Sequence, residues 1–101
     1  MKLNNSSHLA PATIICRSTS ALYSSIGDET VLMSLERGNY YGLDAIATDI
    51  WLRLEEPVSI SDLCARLVEE YEADLPTIQQ DVLTLLEQLR TEGFLDVQEH
   101  A

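Results

Sequence analysis

Apolar and polar positions change their period once along this chain, near residue 44. Before that point they alternate as strands do. Leu22 to Ile26 reads as a strand running into the turn pair Gly27-Asp28, and Glu29 to Leu35 returns with Val31, Met33 and Leu35 on one face. A polar turn, Glu36-Arg37-Gly38-Asn39, then separates this run from Tyr40 to Leu43; Gly38 and Asn39 both tolerate the positive φ that a tight turn demands. The pattern predicts a three-stranded antiparallel meander. Its last strand passes directly into a helix, and no later strand is predicted to pair with it, so one edge stays open. An open edge is a hazard in a free protein and also a template for an extended peptide.

From Asp44 onward the period is helical. Asp44 is an N-cap for a first helix in which Ile46, Ile50 and Leu54 recur at four-residue spacing beside Ala47 and Trp51, and Pro57 ends it. Ser59, with Asp62 three residues later and Val58 and Leu63 placed as a hydrophobic staple, starts a second helix whose apolar stripe is Ile60, Leu63, Cys64, Leu67 and Tyr71. Asp74 caps a third and longest helix, where Pro76 is tolerated because a first-turn N–H has no acceptor to lose. Its core stripe is Ile78, Val82, Leu85 and Leu89, and Leu83 and Leu86 widen the apolar surface towards Gln79 and Arg90, giving a flank that lines a groove. Gly93 fits the C-terminal cap, with Phe94 to Val97 packing back as an extended tail.

Upstream of the meander, residues 1–20 read as an arm, with Thr13 to Arg17 a short strand or fixed extended segment and Ser18 to Ser20 a connection. Residues 21–98 form the domain and 99–101 a tail. Strands followed by helices define an α+β class in which the helices cover one face of the sheet, an order that suits a winged-helix-like domain.

Charge sharpens this outline. Residues 1–43 carry three acidic and three basic side chains, whereas 44–101 carry fourteen acids against Arg53, Arg66 and Arg90, so the helical half holds the whole net charge of −11. Such a surface repels phosphate backbones and argues against nucleic acid as a partner. There is no apolar run near the roughly 18 residues a membrane span needs and no signal-peptide pattern at the N-terminus, which points to a cytoplasmic protein that does not bind membranes. Cys16 and Cys64, far apart, read as buried reduced thiols.

Catalytic chemistry is not apparent. His8 and His100 sit in the two tails, no Ser or Cys has a motif around it, and there is no phosphate-binding glycine loop and no metal-ligand spacing, so neither an enzyme nor a cofactor is expected. Acyl carrier proteins share the small, acidic, helix-rich character but need Ser directly after Asp at a helix start; Ser61-Asp62-Leu63 has the reverse order.

Taken together, Glu29 to Leu35, Gly38-Asn39-Tyr40-Tyr41-Gly42-Leu43-Asp44, Ile50-Trp51, Tyr71 with Asp74, and Asp81-Val82 through Leu85-Leu86 to Gly93-Phe94-Leu95 resemble the PqqD-like family over about residues 22–97. Phe94 between the closing Gly and Leu is a small departure. The resemblance implies a recognition domain that binds the leader segment of a ribosomally synthesised, post-translationally modified peptide as an added strand on the third strand, against the third helix. On this sequence the docking strand would be Asn39, Tyr40, Tyr41, Gly42 and Leu43, and the helix flank Gln79, Leu83, Leu86 and Arg90.

Simpler roles stand beside each of these residues. Alternation puts one of Tyr40 and Tyr41 on each face without saying which, Leu86 also fits the core, Leu83 an exposed surface, and Arg90 a pair with Glu87 or the helix C-terminus. Within the family the chain looks closest to the stand-alone type that partners a leader peptidase in lasso-peptide pathways. The expectation is a non-catalytic adaptor, monomeric or weakly homodimeric, that presents a precursor leader to a maturation enzyme; the alternatives are a winged-helix DNA-binding regulator and a structural subunit that covers its edge by dimerising.

Overall fold

The computed structural model describes residues 9–98. In chain order the elements are β1 (Ile14–Arg17), β2 (Ala21–Ile26), β3 (Glu29–Ser34), β4 (Tyr40–Leu43), α1 (Ala45–Arg53), β5 (Val58–Ser59), α2 (Ile60–Tyr71), α3 (Leu75–Thr91) and β6 (Leu95–Gln98). They form an α+β fold with two antiparallel three-stranded sheets, ordered β2-β3-β4 and β5-β1-β6.

The first sheet is the expected meander. β2 and β3 meet through the two-residue turn Gly27-Asp28, with Gly27 at φ +63°, and pair so that Tyr23 faces Leu32. β3 and β4 are joined by residues 35–39, where the Gly38 N–H donates to the Ser34 carbonyl and the Ser34 N–H donates to the Asn39 carbonyl. Only Gly38 takes the left-handed conformation, at φ +71°; Asn39 has already rejoined the strand path.

Each helix begins where its side-chain chemistry allows. Asp44 accepts from the Ala47 N–H, Ser59 from that of Asp62 and Asp74 from that of Thr77, each satisfying an amide that the first helical turn leaves without an acceptor. α3 closes in a Schellman motif: Phe94 N–H donates to the Leu89 carbonyl and Gly93 N–H to that of Arg90, with Gly93 at φ +86°. At the end of α1 the Arg17 guanidinium donates to the Trp51 and Leu52 carbonyls while lying over the Tyr23 and Trp51 rings, which fastens β1 and β2 to the helix.

The second sheet goes beyond the sequence expectation. β1 is its central strand, pairing Ile15 with Val58 on one side and with Val97 on the other, and Ile15 is fully buried. The extended tail after Gly93 is β6. Both sheets and all three helices share one core, built on Trp51, Phe94, Leu32, Leu54, Leu63, Leu67, Leu86 and Leu89. The helices cover the meander face that carries Thr30, Leu32 and Ser34, leaving Leu22, Ile26, Val31 and Tyr40 exposed on the other.

Candidate functional site

Among the described residues β4 pairs with β3 alone and is the edge strand of the meander. In an antiparallel ladder, residues with bonded and non-bonded backbone alternate. The Ser34–Asn39 bond fixes the phase: Tyr41 and Leu43 turn their N–H and C=O groups towards Leu32 and Thr30, and Tyr40 and Gly42 turn theirs outwards. Two residues with one donor and one acceptor each leave four backbone groups along the open edge. A Cβ built on Gly42 would point to the outer face beside Val31 and meet nothing within 4 Å.

Beside that edge runs α3. A cleft of about 460 Å³ lies between Tyr41 and the helix, bordered by Thr84, Gln88 and Glu92. Thr84 and Gln88 also border a second cleft of about 660 Å³ that continues towards α1, where Ile46, Ala47, Ile78 and Leu85 give it an apolar wall. The two form one groove along a single face of α3. Tyr41 spans it at one point, its hydroxyl donating to Gln88 Oε1 and its ring packed at 6.2 Å from that of Phe94. Asn39 ties the start of β4 to the end of α3 through a 2.6 Å bond from Nδ2 to Glu92 Oε1, and Arg37 donates to the Thr91 carbonyl at 2.6 Å. The strand and the helix are thereby held at a fixed spacing.

The profile of the family described as Coenzyme PQQ synthesis protein D (PqqD) matches residues 29–95. The chain belongs to the PqqD family. The matched span of this PqqD-family chain runs from the first residue of β3 to the first residue of β6, and so contains β4 and α3 entire. Among solved structures, that of TbiB1 in complex with the TbiA(beta) leader peptide is similar to it, with a TM-score of 0.73 and 31% sequence identity over 85% of this chain and 98% of that one. No curated protein matches the chain.

In this PqqD-family domain the residues expected from sequence fall into two groups. Those of β4 lie together with divided roles: Tyr40 points its side chain to the open outer face, being 70% exposed, and turns its backbone to the edge; Tyr41 points into the groove; Gly42 offers backbone alone. Leu43 is buried and Asn39 serves as the tie to Glu92.

The expected helix flank is not the one beside β4. At about 100° per residue, Gln79, Leu83, Leu86 and Arg90 lie roughly half a turn away from Thr84 and Gln88. Gln79 and Leu83 border a small cleft with Pro11, Ile60 and Cys64 on the α2 side, Leu86 is fully buried in the core, and Arg90 borders neither groove cleft. The physical reason is that α3 must pack against α2 as well as the sheets, and the extra apolar width supplies that second contact. Sequence reasoning did not single out Thr84 and Gln88, which border both clefts, and placed Leu85, which borders the second, in the core stripe.

Charged groups near α1 and α2 are structural. Arg53 pairs with Asp49 at 3.0 Å and Glu70 at 2.5 Å, and the Tyr71 hydroxyl donates to Asp49 at 2.6 Å, linking the two helices. Both thiols are pushed up by burial, Cys16 also by the Asp96 charge, which leaves them poor nucleophiles. Among the described residues no three His, Cys, Asp or Glu side chains group to hold a metal ion, and no helix is long and apolar enough to cross a membrane.

Proposed function

We propose that this protein binds the leader segment of a ribosomally synthesised precursor peptide by strand addition at β4 and presents it, without catalysing a reaction itself, to a maturation enzyme such as a leader peptidase. The observation that carries this reading is the open β4 edge, with the backbone of Tyr40 and Gly42 turned outwards, set beside a groove in a PqqD-family chain whose 31%-identical structural neighbour was solved with a leader peptide. The apolar groove residues then select side chains of the leader, which alternate along the added strand.

Magnitudes divide the labour. Four edge hydrogen bonds at about 1 kcal/mol each give about 4 kcal/mol, which corresponds to a Kd in the millimolar range. Useful affinity therefore has to come from apolar side chains seated against Ile46, Ile78 and Leu85. Once held, the rest of the precursor is confined near the partner enzyme, and the gain is one of effective concentration.

Fluorescence anisotropy of a labelled leader peptide, synthesised from the short open reading frame nearest this gene and titrated with the protein in parallel with a labelled DNA duplex, tests the reading. Saturable binding of the peptide alone is expected. Binding of the duplex alone would replace it with a DNA-binding regulator.

A further inference from the structure

The groove beside β4 has a charge as well as a shape, and on the leader-binding reading above that charge constrains the occupant. Its rim carries Asp44, Asp81, Glu87 and Glu92, and among the described residues no Lys or Arg borders either cleft. Arg37 donates to the carbonyl of Thr91 at the end of the first cleft, while Arg53 pairs with Asp49 and Glu70 and Arg17 donates to the end of α1. Glu92 is half-buried and accepts from the neutral Asn39 amide, which satisfies a lone pair and leaves the negative charge in place.

A strand laid along β4 would cover this rim and strip water from it. A neutral or acidic occupant would leave the carboxylates partly desolvated without compensation, a cost that a cationic side chain offsets. The net charge of −11 adds an approach field of the same sign. Apolar side chains still have their seat against Ile46 and Leu85, on the α1 side of the Tyr41–Gln88 bridge.

We propose that the segment of the leader lying along β4 carries at least one Lys or Arg on its groove-facing side, adjacent to an apolar anchor, and that Asp81 and Glu92 receive it. Charge complementarity thus makes the site selective for a mixed apolar and basic strand and rejects an acidic one.

The test uses the full chain and a labelled leader peptide synthesised from the short open reading frame nearest this gene, titrated at about 50 mM and about 500 mM salt, between which the screening length falls severalfold. Asp81→Asn and Glu92→Gln keep shape and, at 92, an acceptor for Asn39; circular dichroism and the urea midpoint check that each variant is folded. Each should weaken binding about two- to fivefold at low salt, with the difference vanishing at high salt. Glu69→Gln, on α2 and outside the groove, should change affinity less, which separates a local pairing from the general field. A bound segment without Lys or Arg, or equal affinities for wild type and the Asp81→Asn/Glu92→Gln double variant at low salt, would overturn the charge assignment while leaving leader binding intact. No saturable binding to wild type at either salt would instead overturn the leader-binding reading, and this inference with it.

Discussion

Gly42→Pro separates binding from folding in one substitution. Gly42 sits opposite Val31 at a non-bonded position of the β3–β4 ladder, so its N–H points to the open edge and proline removes no bond within the sheet. Proline is tolerated on edge strands in just this orientation, and the preceding Tyr41 already has the extended backbone that proline favours. The free protein should therefore unfold in urea within about 1 kcal/mol of wild type. An added strand, however, loses a donor and keeps an unpaired carbonyl in a covered interface. The lost bond at about 1 kcal/mol and the stranded carbonyl at about 1 kcal/mol or more give about 2 kcal/mol, or roughly thirtyfold in Kd. Gly42→Ala is the control: its Cβ meets nothing within 4 Å and the N–H remains, so affinity should stay within about twofold. Anisotropy with labelled leader reads both. Binding by Gly42→Pro within about twofold of wild type, with unfolding unchanged, would refute strand addition at this edge. Loss of folding would show that the Gly42 amide belongs to the ladder and that the phase assigned to β4 is wrong.

The remaining predictions address the groove, the core and the α1–α2 link. Ile46→Asp, at a position 55% exposed on the groove wall, should leave stability within about 1 kcal/mol and weaken leader binding about tenfold; equal affinity would remove α1 from the site. Leu86→Ala, at a fully buried position, should cost about 2–5 kcal/mol in urea unfolding, and a cost below about 1 kcal/mol would contradict its place in the core. Burial alone would raise the pKa of Asp49, but hydrogen bonds from Arg53 and Tyr71, together with the Arg53 charge, outweigh it and hold the carboxyl below its ordinary value. A folded-state pKa below the unfolded one means that the stabilisation is present above the unfolded value of about 3.9 and is lost as pH falls through the folded one. Urea unfolding of wild type and Asp49→Asn should accordingly differ by up to about 1 kcal/mol at neutral pH and converge well below about pH 4; a gap that persists there would contradict the pairing.

Local signals carried much of this fold. The Gly27-Asp28 turn, the Asp44, Ser59 and Asp74 caps and the Gly93 terminus each depend on chemistry within a few residues, and each is where the sequence places it. The second sheet depends on pairing Ile15 with Val97, partners at opposite ends of the chain, and four-residue strands leave too little alternation to announce such a contact. The groove was half legible. Period-two alternation identifies β4 and its edge, yet the side of α3 that faces it is decided by how the helix packs between α2 and the sheets. A long helix with a wide apolar stripe has two flanks, and composition favoured the more apolar one, Leu83 and Leu86, which the core and α2 consume. The flank beside β4 is more polar, with Thr84 and Gln88, because it is the one left facing solvent.

Amide hydrogen exchange, followed by NMR with and without the leader peptide, tests strand addition at β4 most directly. In the free protein the Tyr41 and Leu43 amides, bonded to β3, should exchange slowly and those of Tyr40 and Gly42, open at the edge, should exchange fast. Leader binding should protect Tyr40 and Gly42 and leave the β3-facing pair as they were. Saturable binding with Tyr40 and Gly42 still exchanging fast would contradict the account and place the peptide on another surface.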